Sequence, residues 1–367
     1  MATEVTLRRF DLSDVDAMMA WASDPEVAAF CRWEPFAPTQ TEALLAHIRD
    51  TALTHQWCRA ICLAGDARPV GSVSLEPTAD PCRGELGYVV ARAHWGRGVA
   101  TAAVKAALAA VFGEVEGLAR VEALVDVDNA ASQRVAEKAG FRREGVLRRH
   151  YWHKGRVRDL VVYGFVSGDP LPPSHEDEGR GSMEQEAAAR TLERADEVTL
   201  RPFDLADAMT AWAEHPILVP PTAAMASGVY FSPPRDALLA FLRGTDPPHT
   251  WTRAVCLGGA TVGAVTVSRT EDRCRAEVGT ALARAHRGRG VAAAALRRAA
   301  TAALGDLEGV ERVEALVDAD DAASRRALED AGFRREAVLR SHRDAKDVVV
   351  YSLISTDDDP LVDSRSS

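Results

Sequence analysis

Ala91-Arg-Ala-His-Trp-Gly96-Arg-Gly98-Val-Ala-Thr101 joins a β-rich run to an alanine-rich one, and it returns as Ala283-Arg-Ala-His-Arg-Gly288-Arg-Gly290-Val-Ala-Ala293. Glycines on either side of an arginine let the backbone take angles that a β-carbon forbids and come close to a ligand. A helix former follows at once, so several peptide N–H groups lacking an intrahelical acceptor converge at the positive end of a helix dipole. Such a place suits an anion, most naturally a pyrophosphate. Alone the pattern is weak, because tight turns also use glycine for steric reasons. It is neither a phosphate loop, which needs Gly-Lys-Ser/Thr, nor the dinucleotide fingerprint, which needs a third glycine after a first strand.

Working outward, the recurrence of that stretch is part of a long repeat. Residues 82–147 align with 274–339 at a constant offset of 192, without a gap, with 41 identities in 66 positions. Arg120-Val-Glu-Ala-Leu-Val-Asp126 and Arg312-Val-Glu-Ala-Leu-Val-Asp318 are identical. The period exceeds that of solenoids, so each copy is a whole domain. The expected organisation is a first domain at 4–167, an acidic Pro/Ser/Glu-rich linker at 168–196, a second domain at 197–356 and a tail at 357–367. The length agrees, since 367 residues at roughly 150 per domain make about two.

Copy one reads consistently. Val5–Phe10 is a strand, followed by a helix over Asp11–Ala22 with Ser13 as N-cap. Thr39-Gln-Thr-Glu42 has capping-box spacing ahead of Leu44, Leu45 and Ile48. Trp57–Leu63, Val70–Leu75 and Glu85–Ala91 are β-rich, and Val99–Phe112 is a strong helix former. Arg120–Asp126 alternates as a half-buried strand does. Asn129–Ala139 is helical, closed by Gly140 and Phe141. Strands near Phe141–His150 and Arg158–Phe165 end the domain. The sum is an α/β (α+β) fold with a mixed, mostly antiparallel sheet flanked by helices.

Composition narrows the function classes. Hydrophobic residues make up 47% and charged ones 27%, which is ordinary for a globular chain. The net charge of -10 argues against a nucleic-acid binder, whose footprint is basic. Half of that charge falls in 168–196, with 3 basic and 8 acidic side chains, while 1–167 holds 20 and 21. The six cysteines form no CxxC and the histidines no cluster, so no metal is expected, and the thiols read as reduced, packed side chains. No apolar run reaches the ~20 residues of a membrane span. A cytoplasmic or nucleocytoplasmic protein without a membrane partner is expected.

The order of elements, with Leu86-Gly-Tyr-Val-Val90, Trp95-Gly-Arg-Gly98, Thr101, Asn129-Ala-Ala-Ser132, Lys138-Ala-Gly-Phe-Arg-Arg-Glu-Gly145, Asp159 and Tyr163, resembles the GNAT superfamily of acyl-CoA N-acyltransferases. More narrowly it resembles the branch that contains the ribosomal-protein N-terminal acetyltransferases RimJ and RimL. The resemblance covers 4–166 and, more worn, 197–355. It implies an N-acetyltransferase with acetyl-CoA as co-substrate and an amine, either a protein N-terminus or a small molecule, as acceptor. It implies that the backbone of Tyr88, Val89 and Val90 holds the pantetheine arm. Trp95, Gly96, Arg97, Gly98, Val99, Ala100 and Thr101 would cradle the pyrophosphate, and Asn129 would reach the pantetheine amides or simply cap its helix. In copy two the turn is Gly288-Arg289-Gly290.

The acceptor amine must lose a proton, which calls for a base. Glu85, repeated as Glu277, is the first candidate, and Glu34 in Arg32-Trp33-Glu34-Pro35-Phe36 is the second. Many relatives protonate the leaving thiolate with a tyrosine where this chain has Ala136 and Leu328. Ser132, repeated as Ser324, is the replacement that the branch suggests. Trp33, Phe36, His150, Tyr151 and Trp152 are the candidate substrate contacts. Copy two departs further, with Thr280 for Tyr88, Arg287 for Trp95 and Asp321 for Asn129. Chemistry is therefore expected mainly in copy one. The alternative is an acyl-CoA-binding sensor or pseudoenzyme without turnover. The two copies could pack on each other, and a homo-oligomer is left open.

Overall fold

The computed structural model describes residues 4–53, 57–171, 197–202 and 250–357. Most of the expected linker, the tail beyond 357, and the part of copy two that would correspond to Trp33-Glu34-Pro35 lie outside the described residues. Two compact units are present. The first comprises 1–146, 160–182 and 339–347; the second comprises 147–159, 183–338 and 348–367. Each thus includes a short segment from the other half of the sequence.

In the first unit the strands are β1 (Val5–Arg8), β2 (Trp57–Leu63), β3 (Pro69–Pro77), β4 (Arg83–Val90), β5 (Arg120–Asp126) and residues 160–166 of β7 (Arg156–Val166), adjacent in that order, with residues 142–146 of β6 (Arg142–His153) beside β7; residues 147–153 of β6 and 156–159 of β7 belong to the second unit. The pairs β1–β2, β2–β3, β3–β4 and β5–β7 are antiparallel, and β4–β5 is parallel. The mixed, mostly antiparallel sheet is as expected. Helix α4 (Val99–Glu114) supplies the crossover between β4 and β5. It buries Val99, Ala103, Val104, Ala107, Leu108 and Val111, a stripe spaced three and four apart that lies in one core with Ile61, Val73, Val121 and Phe165. Small Ala103 and Ala107 let the helix axis lie close to the sheet. The other face carries α1 (Val15–Ala22), α2 (Pro25–Ala28) and α3 (Thr41–Leu53), packed around Met18, Trp21, Leu44 and Ile48.

Two start signals differ from the expectation. Asp11, not Ser13, is the cap: its carboxylate accepts from the Ser13 N–H at 2.9 Å, and Asp14 accepts from the Asp11 N–H at 2.8 Å. A 3-10 turn (Leu12–Asp14) therefore precedes α1. Asp is as good a cap as Ser, and Arg8 fixes Asp14 through two 2.7 Å bonds. Thr39 and Glu42 form no capping box either. A 3-10 turn at Pro38–Gln40 comes first, and Gln40 reaches back to the Ala37 N–H at 2.6 Å. Helix α5 (Ala130–Lys138) begins and ends as read: Asn129 caps it, and Phe141 N–H bonds to the Ala136 carbonyl at 3.1 Å past left-handed Gly140.

The second unit repeats the plan with β8 (Val198–Pro202), β9 (Thr250–Leu257), β10 (Ala260–Arg269), β11 (Arg275–Leu282), β12 (Arg312–Asp318) and β14 (Lys346–Ile354). Helices α6 (Val291–Asp306) and α7 (Ala322–Asp330) take the places of α4 and α5, and β13 (Arg334–Arg343) that of β6, with residues 339–343 of β13 and 346–347 of β14 belonging to the first unit.

Candidate functional site: an opening between two parallel strands

Strands β4 and β5 pair only over Arg83–Glu85 and Arg120–Glu122. Yet β4 runs on to Val90, still paired with β3, and β5 runs on to Asp126, still paired with β7. From Leu86 onward the two therefore part, and the β4 edge facing β5 has no strand partner there. Backbone N–H and C=O groups at such an edge are strong, obligatory hydrogen-bonding groups. One end of the opening is anchored by a turn built for close approach. Gly96 (φ 72°) and Gly98 (φ 80°) both sit in the left-handed region, with Gly98 as the N-cap of α4. A β-carbon on Gly96 would meet nothing within 4 Å, so the backbone angle, not crowding, calls for glycine there. The first helical bond runs from Ala102 N–H to the Gly98 carbonyl at 2.9 Å, leaving the N–H groups of Val99, Ala100 and Thr101 without an intrahelical acceptor. Trp95 steadies the turn by donating its indole N–H to the Val90 carbonyl at 2.7 Å, while the residue as a whole is 48% exposed.

Side chains leave β4 alternately on its two faces. Val89 packs with α1–α3, and Leu86, Tyr88 and Val90 pack with α4. Glu85 shares the Val89 face. Its carboxylate accepts from Arg32 at 2.6 Å and is 26% exposed. Glu76 on β3 and Glu122 on β5 are its in-register neighbours. Burial raises the Glu85 pKa, Arg32 opposes that by charge and hydrogen bond, and the two neighbouring carboxylates add to the rise, which wins. Glu34 lies exposed on the surface. On the opposite face, the Tyr88 hydroxyl donates to Ser132 Oγ at 2.9 Å, joining β4 to the first turn of α5. Burial pushes the Tyr88 phenol up to about 12. Asn129 accepts from the Ser132 N–H at 3.1 Å, which confirms its capping role. Among the described residues no group of three or more His, Cys, Asp or Glu is placed to hold a metal ion.

A family model described as an acetyltransferase (GNAT) domain matches the chain twice, over residues 4–142 and 197–334. The chain belongs to the GNAT acetyltransferase family. Its relatives include the uncharacterized N-acetyltransferases p20 of Bacillus licheniformis and YoaA of Bacillus subtilis. Each is 30% identical over 165 residues, 44% of this chain and 92% of the relative. Among solved structures, RimJ of Mycobacterium smegmatis, determined with CoA-disulfide, is 28% identical, covering 44% of this chain and 82% of its own at a TM-score of 0.37.

The second GNAT domain keeps the same frame. Strands β11 and β12 pair only over Arg275–Glu277 and Arg312–Glu314, and Gly288 (φ 72°) and Gly290 (φ 76°) keep the left-handed turn around Arg289. Arg287 does the work of Trp95, bonding from Nε to the Leu282 carbonyl at 3.3 Å. The chemistry-bearing groups differ. Thr280 turns its hydroxyl back to the Ala264 carbonyl at 3.0 Å, so among the described residues nothing equivalent to the Tyr88 phenol meets Ser324. Asp321 caps α7 by accepting from the Ser324 N–H at 3.0 Å. Burial would raise its pKa, but its hydrogen bonds from Ser324 outweigh that and the pKa is lowered, so a negative charge stands where copy one has an amide.

The candidate substrate contacts fall in both compact units. Trp33 and Phe36 pack on each other, ring centres 5.8 Å apart, against the α1–α3 core of the first unit. His150, Tyr151 and Trp152 belong to the second unit. There His150 Nδ1 lies 3.6 Å from Glu314, the Trp152 ring is covered by Arg273 at 4.4 Å, and Trp152 N–H bonds to Asp272 at 3.0 Å.

Sequence reasoning missed Arg32 as the partner of Glu85, and it missed the Tyr88 hydroxyl, reading only that residue's backbone. The signal for Glu122 was present, since Glu85 and Glu122 both recur in copy two, at 277 and 314. An alternating strand pattern says which residues share a face, but not that two glutamates stand side by side across a parallel pair.

Proposed function

We propose that the chain transfers the acetyl group of acetyl-CoA to a primary amine, either a protein N-terminus or a small molecule, with the chemistry mainly in the first domain. The opening between β4 and β5, closed at one end by the Gly96–Gly98 turn at the head of α4, carries this reading. Its unpaired strand edge fits a pantetheine arm, which is itself a chain of amides. The free N–H groups at Val99–Thr101, with Gly96, Arg97 and Gly98, fit a pyrophosphate. Bound there, the co-substrate supplies an activated acyl group; everything else falls to the chain's own residues. Backbone N–H groups among Tyr88, Val89 and Val90 would polarise the acyl oxygen, the kind of preorganised donor that contributes most in acyl transfer.

Glu85 is the base in this reading. Its raised pKa makes it a better proton acceptor than an exposed carboxylate, and Arg32 keeps it placed. The amine approaches from the Glu85 face, and Ser132 serves the leaving thiolate from the other. Glu34, exposed on the surface, would have an accessory role with Trp33 and Phe36 at the substrate side. Thr280 and Asp321 favour a different reading for the second domain, that of a binding or structural copy without turnover. Incubation with acetyl-CoA and a panel of amines and peptides, following thiol release, tests the proposal. Release that depends on an amine supports it. Binding of CoA without any release would leave the sensor reading instead.

A further inference from the structure

We propose that Tyr88 is a positioning residue for the leaving thiolate, acting through Ser132. The inference rests on reading the β4–β5 opening as the acyl-CoA site. The observation is the 2.9 Å bond from the Tyr88 hydroxyl to Ser132 Oγ, which spans from β4 to the helix that follows β5. A serine hydroxyl has one proton to give and two lone pairs to accept with. With an acceptor site filled by Tyr88 and its N–H tied to Asn129, Ser132 is left to direct its own proton elsewhere, toward the opening. A hydroxyl that already accepts a bond is also a stronger donor, because the bonds in a chain polarise one another.

Magnitudes separate positioning from acid catalysis. A thiol of ordinary pKa, about 8.5, holds its proton less tightly than a phenol pushed up to about 12. Net loss of the Tyr88 proton to the thiolate is therefore uphill, and Tyr88 keeps it. In the balanced step the amine nitrogen forms a bond to the acyl carbon, the carbon–sulfur bond breaks, and its electron pair goes to sulfur. Glu85 takes the proton that nitrogen loses and passes it to solvent. Sulfur takes its proton from solvent, while Ser132 holds the thiolate through a donated hydrogen bond and keeps its own proton. In the second domain Thr280 faces Ala264, so among the described residues this arrangement belongs to the first domain.

The test is the ultraviolet titration of the thiol of CoA bound to the full chain, compared among wild type, Tyr88→Phe, Ser132→Ala and the double variant. A donor aimed at the thiolate stabilises it, so wild type should raise the acid dissociation constant of the bound thiol about tenfold over free CoA. Ser132→Ala should abolish that increase and Tyr88→Phe remove much of it. The double variant should equal Ser132→Ala, because Tyr88 acts through Ser132. If both domains load, the titration has two phases and only one responds. A Tyr88→Phe titration identical to wild type overturns the proposal, as does a double variant weaker than Ser132→Ala. Failure of wild type to bind CoA would overturn it together with the reading of the opening, an outcome that calorimetry separates from the others.

Discussion

At the scale of single residues, Glu85 makes the sharpest demand. A base works only when deprotonated, so a raised pKa moves the acid limb of the activity profile to higher pH. Arg32 holds that pKa down by charge and hydrogen bond. Arg32→Ala should therefore shift the acid limb of kcat/KM upward, and a limb that stays put or moves down would remove Glu85 from the role. Glu85→Gln should lower kcat by about 10²–10⁴-fold. Stability should behave oppositely. A carboxyl whose folded pKa exceeds its unfolded value binds its proton more tightly in the folded state, so ionising it costs stability as pH rises through that window. Glu85→Gln should therefore leave the thermal midpoint at neutral pH unchanged or raised, a pattern that separates a functional carboxylate from a structural one.

At the scale of elements, the glycine turn and the cap of α5 carry the predictions. Gly96 is left-handed with open space around it, so Gly96→Ala isolates the cost of the backbone angle, about 1–2 kcal/mol. For a domain of this size that is a fall in the thermal midpoint of roughly 2–8 °C, readable by calorimetry. Asn129→Ala removes the cap and should cost about 1 kcal/mol, whereas Asn129→Asp keeps it and tests the charge found in copy two. Asn129→Asp should keep the melting temperature and weaken CoA binding. These elements were the most legible part of the sequence. The repeated Gly-Arg-Gly, the alanine-rich helix and the Gly140–Phe141 stop are local signals with local causes. The start of α1 was less so, because Asp11 and Ser13 are both good caps and only the Arg8–Asp14 pair decides between them.

At the scale of the whole molecule, the buried charge of the first unit draws on both halves of the sequence. Arg120 is fully buried, bonded to Glu122 at 3.1 Å and to Glu144 at 3.0 and 2.7 Å. Arg340 completes the set, reaching Glu144 at 3.0 Å and Asp169 at 2.9 Å, and its carbonyl accepts from Arg120 at 2.8 Å. His342 lies 3.1 Å from Arg83, and burial beside Arg83 and Arg120 lowers its pKa to about 2, so it stays neutral. The second unit mirrors this with Arg312, Glu314, Glu336 and Arg148. Burial would raise the Glu314 pKa, but Arg312 and Arg275 hold it well below the usual range.

Removing one member of such a set leaves a buried charge uncompensated, which costs about 3–5 kcal/mol. Arg340→Ala should therefore lower the stability of the first unit by an amount of that order in chemical denaturation. A chain ending at 170, which lacks Arg340 and His342, should not fold to the same stability; an equally stable truncated domain would contradict this. Asp169 adds a pH dependence. Burial would raise its pKa, but the bond from Arg340 lowers it, so its contribution is present above the unfolded carboxylate pKa and lost as pH falls through the lower folded value. None of this was legible in the sequence. Arg120 and Glu122 sit in a strand whose alternation explained itself, and no local pattern says that a segment 220 residues away will supply the partner.

In the proposed function the first GNAT domain turns over an acyl-CoA and an amine while the second does not. The most direct measurement is amine-dependent thiol release from acetyl-CoA by the full chain and by Gly98→Trp and Gly290→Trp, each checked for folding. Release should be almost completely lost in Gly98→Trp and retained in Gly290→Trp. Equal loss from both substitutions, or retention in Gly98→Trp, would contradict it.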